Sequence, residues 1–599
     1  MRDDAEMQHA GTGQRTLVVA GAQTQNRVGD LAGNARQIRD AMRWAEDAGA
    51  DVLVLPEMCL TGYPIGDLAF RRQFVAEARA TLEALAAESG RMATLVGTPD
   101  RVPPQRSWDT RVRHVAIGQA VLCNGELRGV YHKCLLPTYD VFDEARTFAA
   151  GRTPDATWRI GDAVVGISVC EDLWSGDGPP EAQAAAGAQV LLVPNGSPFY
   201  RGKPQLRRDL VASVARRTGL PVVYVNCVGG QDDLVFDGGS FAIDAEGREL
   251  CSAAQFEQER FLVEVPLAPP ARDPARAITV HARRDRTPPV VAPSRAEELD
   301  PSAQVWSALR AGIRDFVDTN GFAGVAVALS GGMDSTVCAL VAAEAVGADR
   351  VLALAMPGAD SDHEELEDAT LLAERLGIEL QLHEVGGLLA LADRQLEPDL
   401  MEVDHVRLEL ETRARALLLT SMAAERGLLP LATVNKTELA IGSASLFAET
   451  TGGLAPLRDC PKGLVAELAR WHQERHGLIA ERALSRPPTL RRRSGADLPP
   501  FPVLDAIVER YLNGEEELRE LVDAGFEPEV VRGVLQLVDD AEFKRRLAPL
   551  GIKITERAFG QDLRMPVSSR WRPYQREEEA LVAAAEDEQV FEAGQALAG

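Results

Sequence analysis

The sequence lacks the features of several protein classes. It has no apolar run near the ~18 residues that a membrane-spanning helix needs, and its first fifteen residues are polar, without the apolar core of an export signal. Its eight cysteines form no C-x-x-C pair, which disfavours a disulfide framework or a zinc ribbon. Basic residues are outnumbered, 64 against 90 acidic ones, and the net charge of -26 repels nucleic acid and anionic lipid. These absences predict a cytoplasmic protein with reduced thiols that binds neither nucleic acid nor membrane.

The chain length predicts more than one domain. Its 599 residues allow two large domains or up to four small ones. The clearest break is the stretch 266–301, which is rich in Pro, Arg and Ala and has no apolar periodicity, as is typical of a linker. We therefore predict a polar extension over 1–15, a first domain over 16–265 and a second domain over 302–599.

Both halves show short apolar strands that alternate with helical spacing. In the first, Thr16–Ala22 and Val52–Leu55 are branched and apolar, and Asn34–Ala48 between them has helical periodicity. In the second, the strand-like Val325–Leu329 runs through a glycine turn into the helix-like Thr336–Ala345. The pattern predicts the α/β class in both halves, with a parallel sheet and right-handed crossovers in the second.

Three reactive side chains follow predicted strands of the first half. Glu57 follows V-L-V-L-P, Lys133 lies in Y-H-K-C-L-L-P, and Cys170 follows G-I-S-V. A carboxylate, an ammonium and a thiol at sheet edges can act as base, oxyanion stabiliser and nucleophile. Each residue alone is more often structural, since a lone cysteine at a strand end is usually a small core residue.

The surrounding words are more specific than the single residues. L-T-G-Y-P, L-P-T-Y-D-V-F-D-E, V-C-E-D-L-W and N-G-S-P-F resemble the nitrilase superfamily, and specifically the glutaminase domain of glutamine-dependent NAD synthetases, over most of residues 16–250. The resemblance implies Glu57 as general base, Lys133 as stabiliser of the tetrahedral intermediate and Cys170 as nucleophile. It also implies a glutamine site that contains Tyr139, Glu144, Ser197 and Lys203. Because Lys133 would favour the thiolate, we expect a lowered pKa for Cys170.

A glycine-rich word marks the second half. S-G-G-M-D-S joins a predicted strand to a helix, where backbone N–H groups and the helix N-terminus favour a phosphate. It is not a Walker loop, and it resembles the pyrophosphate loop of enzymes that adenylate a carbonyl or carboxylate with ATP. An ordinary glycine turn that caps a helix is the alternative. The resemblance implies that ATP binds Ser330, Gly331, Gly332, Met333, Asp334 and Ser335.

Further words extend the resemblance to nearly the whole chain. A-T-V-N-K-T-E-L-A-I-G is similar to a motif of NAD synthetases, which implies that Thr433 contacts ATP and that Glu438 contacts deamido-NAD and metal. Asp334 and Glu438 could share a Mg²⁺ ion, and Lys544 in A-E-F-K-R-R-L matches a lysine that meets the dinucleotide. The implied fold is a nitrilase-like α/β sandwich followed by a Rossmann-like parallel-sheet ATP pyrophosphatase domain of the adenine nucleotide alpha hydrolase-like kind. The implied enzyme is a carbon–nitrogen ligase that uses glutamine, ATP and deamido-NAD, as a homo-oligomer joined through the synthetase domain.

Departures from the family words concentrate where the acceptor would bind. They lie in Met356–Asp362, Arg407–Arg415, Ser445–Glu449 and Pro488–Arg493. Glu409 stands where the family has an asparagine at the nicotinate end, and its charge would disfavour a free carboxylate there. Two alternatives therefore stay open: a paralogue that amidates another carboxylate, and a non-catalytic regulatory homologue.

Two histidines have a spacing found in metal sites. His472 and His476 in W-H-Q-E-R-H share one face of a predicted helix. The word is not H-E-x-x-H and no third ligand is apparent from the sequence. We therefore expect ordinary helix side chains rather than a zinc site.

Overall fold

The structure of the chain is a computed structural model. It describes residues 15–106, 112–269, 277–280, 294–358, 361–396, 404–486, 498–560, 562–569 and 571. The chain divides into two compact units between Asp300 and Pro301, with residues 232–234 grouped with the second unit. Most of the predicted linker, the word Pro488–Arg493 and residues 1–14 of the N-terminal extension lie outside the described residues.

The first unit contains two large sheets. The strands of one, in spatial order, are Glu259–Pro266, Thr16–Gln23, Val52–Val54, Ala93–Arg106, Val112–Cys123 and Glu126–His132. Those of the other are Glu249–Ser252, Phe241–Ile243, Val222–Asn226, Val190–Asn195, Ala163–Ile167, Thr157–Ile160 and Ile278–Thr279. Val228–Gln231 and Leu234–Asp237 pair as a separate two-stranded sheet.

Helices cover the outer faces of these sheets. Leu31–Asp47 and Arg72–Ala87 bury Ile38 and Leu82 against the first sheet. Lys203–Thr218 packs Val211 onto the second, and the short helices Glu144–Thr147 and Pro179–Ala185 complete the unit. Central strands of the two sheets contact each other. The unit is therefore an α/β sandwich in which the central strands are apolar on both faces, as the continuous apolar runs predict.

One strand is much longer than its apolar run. Ala93–Gly97 is the part visible in the hydrophobic pattern, whereas the strand continues to Arg106. Polar residues extend it because the neighbouring antiparallel strand supplies backbone partners, with Asp100 opposite Ala116 and Arg101 opposite Val115. Backbone pairing of this kind leaves no signal in the apolar periodicity of one segment.

The second unit is built on a parallel sheet. Its strand order is Glu379–Leu382, Val351–Ala355, Gly324–Ala328 and Leu428–Leu431, and all three pairings are parallel. The helices described in this unit are, in chain order, Pro301–Asn320, Met333–Val346, His363–Leu376, Gly386–Asp393, Asp404–Arg426, Lys436–Ile441, Lys462–His476, Glu481–Ser485, Phe501–Asn513, Leu518–Asp523, Pro528–Asp540 and Glu542–Leu547. The later ones form an apolar cluster around Leu504, Ile507 and Val534. Within the described residues, no helix combines the length and apolarity needed to cross a membrane.

Candidate functional site

Three of the predicted residues meet in the interior of the first unit. The Lys133 Nζ atom lies 2.9 Å from a carboxylate oxygen of Glu57 and 2.9 Å from one of Glu144. The Tyr63 hydroxyl donates to Glu144 at 2.7 Å, and all four side chains are buried. Because burial disfavours a charged carboxylate, the pKa of Glu144 rises to about 7, with Lys133 opposing the shift and Glu57 adding to it.

The backbone explains why these groups converge. Lys133 follows the strand Glu126–His132 directly, and Glu57 comes three residues after Val52–Val54. The Gly196 N–H, at the end of a strand of the other sheet, donates to Glu57 Oε2 at 3.0 Å. A Cβ atom at Gly196 would come within 3.2 Å of that same oxygen. The glycine therefore lets the backbone approach the carboxylate and hold it towards Lys133.

Cys170 stands at the edge of this cluster. It follows the strand Ala163–Ile167, begins a 3-10 turn with a positive φ of 45°, and is 4% exposed. Positive φ is costly for a residue with a side chain and is found at functional sites. The Asp172 carboxylate fixes the turn by accepting the N–H groups of Val169, Cys134 and Leu135 and the hydroxyl of Tyr131.

The expectation of a lowered pKa for Cys170 is wrong. Burial raises the pKa of the thiol well above its ordinary value, the Glu57 charge raises it further, and Lys133 offsets only part of this. The sequence shows that a lysine is near the thiol, whereas the depth of burial and the second charge depend on the fold. The resting thiol is therefore protonated.

Two of the remaining predicted glutamine-site residues, Tyr139 and Lys203, contact side chains of the segment that directly follows Cys170. The Tyr139 hydroxyl is 2.9 and 3.0 Å from the two oxygens of Glu171. The Lys203 ammonium lies 4.0 Å over the Trp174 ring, and burial lowers its pKa to about 8. Ser197 is buried, and its N–H donates to Asn226. No role was assigned to Glu171 and Trp174 from the sequence, although both lie in the motif V-C-E-D-L-W that carries the family resemblance.

The predicted phosphate loop joins the strand Gly324–Ala328 to the helix Met333–Val346. The Gly332 N–H donates to Ser330 Oγ at 3.2 Å, and Ser335 Oγ donates to the Gly332 carbonyl at 2.9 Å. Gly331 has a φ of +83°, and a Cβ there would lie 2.1 Å from the Glu365 carbonyl. Glycine is therefore required at this position, and the two serines hold the turn in shape without a ligand.

Asp334 links the loop to a second segment. Asn435 Nδ2 donates to Asp334 Oδ1 at 2.9 Å, and the Lys462 ammonium forms an ion pair with the other oxygen. Glu438, on the short helix that Asn435 caps, is partly buried, and desolvation followed by repulsion from Asp334 raises its pKa to about 8. Lys462 was not singled out from the sequence because it lies 128 residues from its partner.

A cavity of about 760 Å³ opens in front of the loop. Ser330, Gly332, Asp334, Ser335, Thr433 and Glu438 line it, and its volume is in the range of small-molecule sites. Among the described residues, its charged lining is mostly acidic: Asp334, Asp362, Glu365, Glu411, Glu438 and Glu449 against Arg407 and Arg415.

Four predicted binding residues do not line this cavity. Gly331 and Met333 contribute to the loop without lining it. Lys544 donates to the Gly442 carbonyl, and Glu409 pairs with Arg413 at 2.6 Å. The charge of Glu409 therefore has a cationic partner. This pairing reduces the repulsion that the sequence predicted between Glu409 and the carboxylate of an acceptor.

Comparisons with known proteins agree with both halves of this geometry. Residues 18–270 match the Carbon-nitrogen hydrolase family and residues 305–548 the NAD synthase family. The glutamine-dependent NAD(+) synthetase of Synechocystis is 35% identical over 93% of this chain and 99% of its own. The glutamine-dependent NAD(+) synthetase of Thermotoga maritima is also 35% identical, over 93% of this chain and 99% of its own. The chain belongs to the glutamine-dependent NAD(+) synthetase family.

Solved structures of this family have the same fold. The Acinetobacter baumannii synthetase in complex with adenosine diphosphate is 31% identical, with a TM-score of 0.69 over 92% of this chain and 98% of its own. The Cytophaga hutchinsonii synthetase is 20% identical, with a TM-score of 0.77 over 93% and 98%, and supports the fold alone. The predicted fold class, a nitrilase-like sandwich followed by a parallel-sheet synthetase domain, is confirmed.

Proposed function

We propose that this chain is a glutamine-hydrolysing NAD(+) synthase. Its first domain would release ammonia from glutamine, and its second would adenylate deamido-NAD with ATP and amidate it, yielding NAD, AMP, pyrophosphate and glutamate. The observation that carries the proposal is the buried Glu57–Lys133–Glu144 cluster beside Cys170, in the same chain as an intact phosphate loop. The full-length similarity to named synthetases supports the pairing of the two reactions.

We infer that glutamine hydrolysis begins from a neutral thiol. Because the pKa of Cys170 is raised, its proton must leave as Sγ attacks the side-chain amide carbon, and the carboxylate of Glu57 receives it. The Lys133 ammonium stabilises the oxyanion that forms. Collapse of the tetrahedral intermediate breaks the carbon–nitrogen bond and returns the proton to the leaving nitrogen as ammonia. Water then attacks the thioester, with Glu57 as base again, and glutamate and the thiol are released.

The charged groups around Cys170 suit the amino-acid end of glutamine. We assign the Lys203 ammonium to the α-carboxylate, and the Glu171 carboxylate with the Tyr139 hydroxyl to the α-ammonium. Partial burial of both charges supports this, since charges withdrawn from water are stabilised by partners of opposite sign. Ser197 and Glu144 complete the predicted glutamine site.

The second site would hold ATP at the loop Ser330–Ser335 with Thr433. A triphosphate entering a mostly acidic cavity needs added positive charge. Desolvation raises the pKa of Glu438, and repulsion from Asp334 adds to the shift, so the two carboxylates are close enough to interact. The two carboxylates thus fit Mg²⁺, whose ligands in proteins are oxygens. When bound, Mg²⁺ would offset the phosphate charge and favour loss of pyrophosphate. Asp334 and Glu438 would hold it, while Lys462 and Asn435 would orient Asp334.

The departures from the family words concentrate in the acceptor site, and an amidotransferase that uses another carboxylate is the second candidate. The altered words around Glu409 favour it, whereas the pairing of Glu409 with Arg413 favours deamido-NAD. We retain deamido-NAD, with Glu409, Glu438 and Lys544 as proposed contacts. Domain limits of 16–265 and 302–599, a homo-oligomer and a cytoplasmic location complete the proposal.

The decisive experiment separates the two nitrogen sources. Cys170→Ala should abolish NAD formation from glutamine, ATP and deamido-NAD and leave formation from ammonia intact, while the matched Cys134→Ala variant keeps both. Product mass spectrometry with a panel of carboxylates identifies the acceptor. Glutamine-dependent synthesis by Cys170→Ala would show that the nucleophile is wrong. Glutamine hydrolysis that ATP plus deamido-NAD does not stimulate would favour another acceptor.

A further inference from the structure

A histidine pair outside both sites has a third potential ligand. One ligand atom each from Glu344, His472 and His476 lies within 4.8 Å of the other two. No third ligand is apparent in the sequence because Glu344 lies on the helix Met333–Val346, whereas the histidines lie on Lys462–His476. Only packing of the two helices brings the three together.

The two helices run parallel in a constant register. Near their N-termini Lys462 contacts Asp334, and ten residues further along each helix His472 contacts Glu344, so that both pairs are 128 positions apart. His476 follows one helical turn after His472, and the centroids of the two rings lie 4.4 Å apart with the ring planes tilted by 34°. Three side chains from two adjacent helices therefore surround one point.

The details of the cluster suit a cation. His472 Nε2 lies 3.0 Å from Glu344 Oε1, a hydrogen-bond distance, so a cation that displaces the shared proton would meet both atoms as ligands. His472 is 1% exposed, so its imidazole is shielded from bulk water. The Trp306 indole N–H donates to Glu344 Oε2 at 2.8 Å, which is the kind of outer support that orients a ligating carboxylate.

We propose that Glu344, His472 and His476 bind one zinc-like divalent ion per chain. Two imidazoles and a carboxylate suit Zn²⁺ and its borderline neighbours better than Mg²⁺, which prefers oxygen ligands alone. Glu344 and His476 are exposed, so water can complete the coordination. The ion would join the C-terminal parts of the two helices whose N-terminal parts carry Asp334 and Lys462.

Calorimetric titration of the full chain with ZnCl₂ tests the site. The Cys170→Ala background removes a competing thiol, and saturating Mg²⁺ occupies the oxygen-rich site. We expect one saturable ion per chain. Loss of an outer-shell partner already weakens metal affinity by about 10- to 100-fold, so His476→Ala should weaken zinc binding at least as much.

A matched control separates a built site from a surface histidine. His363 also has a carboxylate one turn away, Glu367 at 3.6 Å, but has no second histidine and is 85% exposed. His363→Ala should leave zinc binding unchanged. Equal binding by the His476→Ala and His363→Ala variants, or no saturable binding in the parent chain, would overturn the proposal. Co²⁺ titration of the parent gives a second readout: an intense visible band of low-coordinate Co²⁺ supports the site, and its absence contradicts it.

Discussion

The ammonium of Lys203 predicts a pH dependence of glutamine binding. Its Nζ lies 4.0 Å over the Trp174 ring and 4.9 Å over that of Tyr200. Burial among these rings lowers the pKa of Lys203 to about 8, the nearby Arg207 charge acts in the same direction, and the Glu171 charge opposes it. An ordinary lysine is fully charged throughout the working range of an enzyme, whereas this one loses its proton within it.

The magnitude follows from that pKa. With a pKa of about 8, the charged fraction is about 0.9 near pH 7 and about 0.1 near pH 9. The cation that holds the α-carboxylate is present below the pKa and lost above it. If only the charged form binds glutamine well, the KM for glutamine should rise about tenfold over this interval.

The assay is glutamate release at several glutamine concentrations between about pH 6.5 and 9.5. Lys203→Arg is the matched variant, because a guanidinium stays charged over this range. The α-ammonium of glutamine titrates identically with both enzymes, so the ratio of the two KM values isolates Lys203. Lys203→Met should have a high KM at every pH. A KM ratio between parent and Lys203→Arg that stays constant from pH 7 to 9 would refute the assignment of Lys203 to the α-carboxylate.

Three further predictions concern other groups. Glu57→Gln should lower glutamine hydrolysis by about 10²- to 10⁴-fold, the usual contribution of a general base, and spare ammonia-dependent synthesis; a loss below tenfold in glutamate release would exclude Glu57 as the base. Because the pKa of Glu438 is about 8, Mg²⁺ binding near pH 7 should release a proton from this carboxyl group. Asp334→Asn should reduce the proton release and leave glutaminase activity intact. Equal calorimetric heats of Mg²⁺ binding in buffers of different ionisation enthalpy would contradict the predicted proton release. Arg207→Leu should destabilise the first unit by about 3–5 kcal/mol, because Asp237, 2.7 Å from Arg207 and buried with it, would lose its partner; an unchanged denaturation midpoint would disprove this.

Local sequence was enough to predict the elements that carry the chemistry. Buried strands are read from continuous apolar runs, so Thr16–Gln23 and Gly324–Ala328 each lie within one residue of their predicted bounds. The phosphate loop was also predicted locally, because a strand, two glycines and a helix start are consecutive in the chain. The strand Ala93–Arg106 exceeded its prediction because its outer half depends on a partner strand.

What the sequence by itself determined is which chemical groups stand at which strand ends: Glu57, Lys133 and Cys170 in the first half and the serine–glycine loop in the second. Tertiary structure alone decided their ionisation and their partners. The raised pKa of Cys170, the contact of Lys462 with Asp334 and the approach of Glu344 to His472 all join segments distant in the chain. The physical reason is that covalent order sets the position of a side chain along its element, whereas burial and electrostatic interaction depend on distances through space that only packing establishes.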